Sequence, residues 1–489
     1  MTTTVNTVVV GGGQAGLAVS HYLTKLFVDH VVLEQADGPA EAWRNHRWDS
    51  FTLNTPRWQS RLPGVSYGED DPDGFMSREE VVGYLESLAR KLPVRYRKCV
   101  NRIERGGKSG GYLITINEGE QIWARNVVVA TGLYQTPKIP ALSRDLPPGI
   151  RQLHSDTYRN PQNLLSGAVL VVGSAQSGAQ IAEELYEAGR KVYLAVGRAG
   201  RTPRRYRGRD ANWWSAMLGL YERKASELPS PKARFAGKPH ISGTKGGHTL
   251  NLHQFARDGV TLLGRLRGVR GTVVELAGDL HDNLAAADRA EAEFARSVDA
   301  FIAEAEILAP LERLPALRDG FVQPILRELD LNAAGITNVI WATGYTFDFS
   351  WIKLPVVDDD GFPVQVRGEA EYPGLYFAGL PWLHSAKSGL IYGVGEDALH
   401  VAGRIAEQQG HRGDLPADAV VLQQPEPPPA IAPSLMTKVT SGLMTALWSA
   451  AVSLMLDGYA SSAVGIYPTD PQDPSHREAS HKPAKPTQQ

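Results

Sequence analysis

The chain has 489 residues, 51 basic against 53 acidic side chains, and a single cysteine. One hydrophobic core stops growing well below that length, so two or more packed units are expected. One thiol excludes an intrachain disulfide, a CxxC redox pair, a thiolate zinc site and a cysteine-ligated iron–sulfur cluster, and the balanced charge excludes the basic footprint of a dedicated nucleic-acid binder.

The opening stretch MTTTVNTVVVGGG has neither the basic segment nor the apolar core of a secretory signal, so a reducing cytoplasm is the expected home. The first predicted element is a strand over residues 5–10. It enters the turn Gly11-Gly12-Gly13-Gln14-Ala15-Gly16, after which LAVSHYLTKL carries apolar residues at helical spacing. A second strand, 30–33, ends in Glu34. Residues 100–124 alternate apolar and polar around glycine turns, as a small antiparallel meander does, and lead into the strand VVVATG at 127–132. Cys99, just ahead of the meander, reads as an incidental small hydrophobe in a strand.

The same grammar then recurs. A strand at 169–172 enters the turn Gly173-Ser174-Ala175-Gln176-Ser177-Gly178, a helix follows, and VIWATG at 339–344 closes this half as VVVATG closes the first. Two βαβ openings of this kind define an α/β fold of two Rossmann-like dinucleotide-binding domains. Residues 210–330 are mostly helical in pattern, including an Ala- and Glu-rich stretch at 284–308. The expected boundaries are 1–160 for the first part of one dinucleotide-binding domain, 161–325 for a second, inserted one with its helical insertion, and 326–410 for the second part of the first domain. Residues 411–489 read as a proline-rich linker, an apolar helix at 435–457 and a disordered end. Within that helix residues 439–456 carry no charge, while Thr437, Ser441, Thr445, Ser449 and Ser453 recur every four positions on one face. Two readings stand for it: packing against the body or a second subunit in a homodimer, and contact with a membrane surface.

A GxGxxG run between a strand and a helix is a dinucleotide fingerprint. Gly11 allows the tight turn, Gly13 lets a pyrophosphate approach the backbone, and Gly16 lets the helix pack on the strand, while Gln14 and Ala15 open the helix that faces the phosphates. Glu34 can accept both hydroxyl protons of an unphosphorylated ribose; the plain alternative is a glycine turn with no ligand. The second turn offers Gly173, Ser174, Gln176, Ser177 and Gly178 but places Ala175 where the middle glycine would be. No acid follows its second strand. Arg198 and Arg201 do, in a run from Arg190 to Arg209 that holds eight basic residues and no acidic one. A ribose 2′-phosphate is a dianion suited to guanidinium forks, so this half reads as the NADPH site with Arg198 as the first candidate, a solvated basic loop being the alternative.

Two dinucleotide sites in one chain imply hydride transfer between two cofactors. Without a cysteine pair, the electrons must reach oxygen, a small molecule or an acceptor protein. His248 and His253 lack the partners of a metal motif, so no metal is expected. His384 and Lys387 read either as ring-region contacts or as surface, and Trp213-Trp214 as a substrate lid or a small core.

These residues resemble the class B flavoprotein monooxygenases, the group of flavin-containing and Baeyer–Villiger monooxygenases, over residues 5–405. Both glycine turns fit, as do Thr131-Gly132 and Thr343-Gly344, and Ala42-Trp43-Arg44 is similar to the family's tryptophan-bearing stretch after the flavin ribose acid. Leu53-Asn54-Thr55-Pro56-Arg57 resembles the Asn-x-Pro-Lys segment, which implies a catalytic role for Asn54 beside the flavin; a turn cap is the alternative. His154-Ser155-Asp156-Thr157-Tyr158 resembles the HSxxY end of the linker fingerprint and implies linker positioning or nicotinamide contact for His154, against a satisfied structural histidine. Pro148 and Ile150 depart from that fingerprint. The stretch GLYFAGLPWLHSAKSGLIYGVGEDALHVAG looks like the flavin-closing strand and helix, with Gly395 to Asp397 opening a helix near the flavin.

The resemblance implies a monooxygenase that uses FAD, NADPH and O2, forms a C4a-hydroperoxyflavin and transfers one oxygen atom to a small organic substrate. No separate arginine-proline segment of the Baeyer–Villiger branch is found, which favours nitrogen or sulfur over ketones. Three alternatives stay open: ketone oxygenation, an NADPH:acceptor flavin oxidoreductase without oxygen transfer, and a membrane-associated flavoprotein with a binding role.

Overall fold

Runs of β-branched residues buried on both faces suit parallel sheets covered by helices, and the chain has two. In the computed structural model, residues 3–65, 71–107, 110–235 and 239–410 are described. β1 (Thr3–Val10) runs into α1 (Gln14–Lys25) and returns as β2 (His30–Leu33). Val8 and Val10 face one core cluster and Val9 the other, the period-two alternation of a strand buried on both sides. β3 (Val94–Arg95) lies beyond β2, and β4 (Val100–Arg105), β5 (Tyr112–Ile116) and β6 (Glu120–Val129) form the expected antiparallel meander. β6 then continues as a parallel neighbour of β1.

The second sheet has five strands, all parallel. It comprises β7 (Arg151–His154), β8 (Ala168–Val172), β9 (Val192–Ala195), β10 (Thr261–Leu263) and β11 (Ile336–Trp341), with α2 (Gln176–Glu187) joining β8 to β9. The order across it is β10-β9-β8-β11-β7. α3 (Leu280–Glu304) buries Leu284, Phe294, Val298 and Phe301 along one face. β12 (Leu375–Phe377) rejoins the first sheet beside β6, and α4 (Ile391–Glu407) packs on α1, so the chain's return completes the unit it started.

The sheets divide the chain elsewhere than the expected boundaries. β7 lies ahead of 161 and β11 beyond 325, yet both belong to the second sheet. Strand partners in parallel sheets are far apart in sequence, so boundaries drawn at glycine turns cut through them. The helix of the flavin-closing stretch opens at Ile391, with Leu390 as its N-cap, rather than at Gly395. Cys99 is exposed and sits ahead of β4, not inside a strand. The linker and apolar helix expected in 411–489 lie outside the described residues. Among the described residues no helix is long and apolar enough to cross a membrane.

Candidate functional site

Parallel register brings the ends of β1 and β2 level, pairing Val10 with Leu33. The next residue on each strand, Gly11 and Glu34, therefore meets at the sheet's carboxyl edge, where open α/β sheets bind ligands. Gly11 sits at φ +111°, and a Cβ there would come within 2.6 Å of the Ala130 carbonyl oxygen. A Cβ on Gly16 would lie 1.9 Å from the Gly11 carbonyl oxygen, so α1 can begin only if this residue is glycine. Gly13 is different: its φ is −84° and a Cβ would meet no protein atom within 4 Å. Neither backbone strain nor packing asks for glycine at that position, which faces open cavity and leaves room for a ligand to touch the chain.

Glu34 is buried, its Oε2 accepting from the Gly12 N–H at 2.6 Å and its Oε1 from the Ala36 N–H at 2.8 Å. Both bonds aim the carboxylate along the turn, and the residue lines the cavity. The second turn repeats the skeleton. Val172 pairs with Ala195, Gly173 takes φ +102° with a virtual Cβ 2.5 Å from the Ala342 carbonyl oxygen, and a Cβ on Gly178 would lie 1.8 Å from the Gly173 carbonyl oxygen. Ser174 accepts from the Gly197 N–H at 3.1 Å, and Gln176 exchanges hydrogen bonds with the main chain of Ile241.

Both turns open into one cavity of about 1870 Å³. Of the expected site residues, Gly11, Gly13, Gln14, Ala15, Glu34, Trp43, Asn54, Thr131 and Gly132 line it from the first unit, and Gly173, Ser174, Gln176, Ser177, Arg198, Thr343 and Gly344 from the second. Gly16 and Gly178 stand behind their turns as helix-packing glycines. Asn54 lies on a bend between Leu53 and Thr55, with Oδ1 accepting from Gln180 Nε2 at 3.2 Å. Its main-chain carbonyl accepts from Arg204 Nη1 at 2.9 Å and Asn212 Nδ2 at 3.0 Å.

Four further expected residues do not reach the cavity wall. Arg44 pairs with Glu86 at 2.7 Å. Arg201 is buried behind the cavity wall, its Nη2 donating to Asp288 at 2.8 Å and Glu291 at 2.6 Å. Asp397 is buried two turns inside α4, where burial raises its carboxyl above the usual range. His154 is buried too, its Nε2 donating to the Gly344 carbonyl at 3.0 Å and its Nδ1 accepting from the Asp156 N–H at 3.1 Å. Burial lowers its pKa, and the two bonds require the neutral ring. These bonds tie the end of β7 to the Thr343-Gly344 turn.

Several arginines of the run are engaged by the protein's own carboxylates, carbonyls and rings. Arg204 pairs with Asp210 at 2.5 Å and stacks over Phe75, Arg205 donates to the carbonyls of Gly246 and Gly247, and Arg207 pairs with Asp299. Arg198 alone of this run is both exposed and at the cavity. Trp213 and Trp214 belong to a buried core with Met217 and Phe301. Lys387 is buried between Glu222 and Glu396, and His384 lies 3.0 Å from Lys224; neither lines the cavity. Among the described residues no group of three or more His, Cys, Asp or Glu could hold a metal.

The structure adds residues that the sequence did not mark. Arg47 lies at the cavity with its guanidinium 4.2 Å from the Tyr134 ring centre and 5.3 Å from that of Trp43. Arg267 lines it as well, and so do Gln180 and Asn212. Arg47 is three positions past Arg44 in the same run, and nothing in the spacing tells which of the two turns inward.

Residues 8–210 match the family model described as pyridine nucleotide-disulphide oxidoreductase. A CzcO-like oxidoreductase of Geobacillus kaustophilus is 32% identical over 401 residues, covering 81% of this chain and 97% of the relative. The chain belongs to the CzcO-like oxidoreductases. A flavin-containing monooxygenase from Stenotrophomonas maltophilia superposes with a TM-score of 0.58 at 21% identity, over 83% of this chain and 99% of that one. The fold of this CzcO-like oxidoreductase is therefore that of the class B flavoprotein monooxygenases. An indole-3-pyruvate monooxygenase of Oryza sativa is 30% identical over 196 residues, covering 39% of this chain and 47% of the relative. FAD and NADPH, the cofactor pair expected from the two turns, agree with that family. A disulphide in the family model's description carries no chemistry over to this chain, because a second cysteine is missing.

Proposed function

We propose that this CzcO-like oxidoreductase is an FAD- and NADPH-dependent monooxygenase that oxygenates nitrogen or sulfur in a small organic substrate. The observation that carries the reading is the single cavity joining both glycine turns, with Asn54 on its wall. FAD, when bound, supplies the passage of hydride equivalents from NADPH to dioxygen.

The protein's part is to bind, orient and exclude water. Gly11, Gly13, Gln14 and Ala15 would present main-chain N–H groups and a helix N-terminus to the FAD pyrophosphate, with Glu34 on its ribose and Trp43 and Arg47 beside it. Gly173, Ser174, Gln176 and Ser177 would do the same for NADPH, and Arg198 would meet its 2′-phosphate. Thr131-Gly132 and Thr343-Gly344 close the two turns. Asn54 would donate from Nδ2, because its Oδ1 is already taken by Gln180. Leu218, Phe235, Phe294 and Phe301 supply apolar wall, which keeps water from competing for polar groups inside.

Nitrogen and sulfur are preferred to ketones because the chain lacks the arginine-proline segment of the Baeyer–Villiger branch. The rice relative's activity as an indole-3-pyruvate monooxygenase supports oxygenation in general and does not choose between nitrogen, sulfur and ketone substrates. The test is product analysis under isotopically labelled dioxygen with amines, thioethers and cyclic ketones as substrates. One labelled oxygen atom is expected in an amine or thioether product. Labelled ester would move the reading to ketone oxygenation, and NADPH consumption with electron delivery to a quinone and no label in any product would refute oxygen transfer.

A further inference from the structure

α2 starts at the second glycine turn, and Gln180 stands one helical turn beyond Gln176 on the same face. Gln180 is only 5% exposed and lines the cavity. Its two amide atoms have unequal fates. Nε2 donates to Asn54 Oδ1 across 126 positions of sequence, whereas Oε1 is buried and has no hydrogen-bond partner among the described residues. A buried amide oxygen left unpaired is costly, and the residue that carries this one is part of the cavity wall.

Asn54 is held from three directions. Arg204 and Asn212 both donate to its main-chain carbonyl, and Asp210 fixes both donors, pairing with the Arg204 guanidinium and accepting from the Asn212 N–H at 2.8 Å. Tyr221 donates to Asn212 Oδ1 at 2.9 Å, which sets that amide with Nδ2 towards Asn54. With the backbone pinned, the rotamer of the Asn54 side chain is decided by Gln180.

We infer that Gln180 couples the two halves of the site: its Oε1 accepts from a donor on the nicotinamide riboside half of NADPH, and its Nε2 thereby holds Asn54 with Nδ2 turned into the cavity. The donor is a carboxamide N–H or a ribose hydroxyl, the hydrogen-bond donors that half of the molecule carries. Gln180 is a cofactor-binding residue towards the nucleotide and a positioning residue towards Asn54. This inference rests on the assignment of the second turn to NADPH.

The test uses the flavin-loaded full-length protein and two ligands, NADP⁺ and 2′,5′-ADP, the second of which lacks the nicotinamide riboside. Gln180→Leu should weaken NADP⁺ binding about tenfold, the value of one buried hydrogen bond, and leave 2′,5′-ADP within about twofold. Gln180→Glu keeps an acceptor oxygen and loses the donor to Asn54, so it should retain NADP⁺ and still perturb the flavin absorbance spectrum in the same sense as Asn54→Ala. Equal loss of both ligands in Gln180→Leu would reduce Gln180 to a helix-packing residue, and unchanged affinity for both would remove it from the site. A flavin spectrum identical to wild type in both Gln180 variants would sink the link to Asn54. Wild-type protein that binds neither ligand would instead overturn the assignment of the second turn, and this inference with it.

Discussion

The two glycine turns share a skeleton and differ where a ligand would touch them. Gly11 and Gly173 adopt nearly the same left-handed φ, +111° and +102°, and each is backed by an alanine carbonyl, Ala130 or Ala342. Gly16 and Gly178 each let a helix sit against the preceding turn, with virtual Cβ contacts of 1.9 and 1.8 Å. These four glycines answer to the fold. The middle position is glycine in one turn and alanine in the other, and both Gly13 and Ala175 face the cavity. Register sharpens the contrast: the residue after Leu33 is Glu34, whereas the residue after its counterpart Ala195 is Val196, with Arg198 at the cavity two positions later. Shared backbone demands with different contact groups are what a nucleotide with a neutral ribose and one with a 2′-phosphate would require.

The strongest way to break this comparison is to disturb the shared skeleton. Gly16→Val and Gly178→Val should each cost about 3 kcal/mol or more, since main-chain oxygen occupies the space of the new side chain. Thermal unfolding measures this, and a variant that melts like wild type would show that its turn can relax. The ligand-facing positions should separate from the skeleton. Gly13→Val is expected to leave the melting of the flavin-free protein unchanged yet yield purified protein without yellow FAD; normal flavin content would contradict the first site. Ala175→Val should keep the flavin and weaken NADP⁺ binding about tenfold or more.

Arg198→Ala tests the charge difference. The KM for NADPH should rise about tenfold, the value of a charge-assisted hydrogen bond, with that for NADH little changed. Equal effects on both would refute the 2′-phosphate assignment. Arg201→Ala should instead lower stability without selecting between the two nucleotides, because it strands Glu291 and Asp288.

The smallest effect concerns the Ala-Thr-Gly turns. Gln135 holds the first, donating to Thr131 Oγ1 at 3.1 Å and to the Gly132 carbonyl at 2.8 Å, and does not titrate. His154 holds the second and must be neutral to do so. Its folded-state pKa lies below the ordinary 6.5, so the unfolded chain takes up the proton first, and the stability it contributes is present above pH 6.5 and lost as pH falls through the lower folded value. His154→Gln should therefore flatten part of the acid-side fall in stability, measured by denaturant titration at about pH 7.5 and about pH 5. Buried His30 and His240, the latter pushed down to about 3, keep their own share. An unchanged slope would assign the acid sensitivity to these two and to His384 and His400, whose pKa values burial also lowers.

Much of this was legible in the residues. Strand, glycine turn and helix follow one another within a few positions, so Gly11 to Gly16, Gly173 to Gly178 and Glu34 announce themselves. Asn54 and His154 were visible only through a family resemblance, and the structure separates them: one lines the cavity, the other stands behind it. Arg198 and Arg201 look equivalent in a basic run, yet one is exposed at the cavity and the other is sealed by two carboxylates of α3 nearly ninety positions away. Asp397 failed for a similar reason, because α4 starts at Ile391 and carries it inward.

The sequence by itself determined the two βαβ openings, the exclusion of dithiol chemistry by a lone cysteine, and the placing of an acid after one turn and arginines after the other. Each of these depends on side-chain identity within a short span, where covalent connection fixes the neighbours. Only the tertiary structure decided which arginines reach the cavity, that β7 and β11 belong to the second sheet, and that Gln180, Arg204 and Asn212 converge on Asn54. Those outcomes depend on which distant carboxylate, carbonyl or amide a long side chain meets, and that is set by packing between sheets that sequence spacing does not encode.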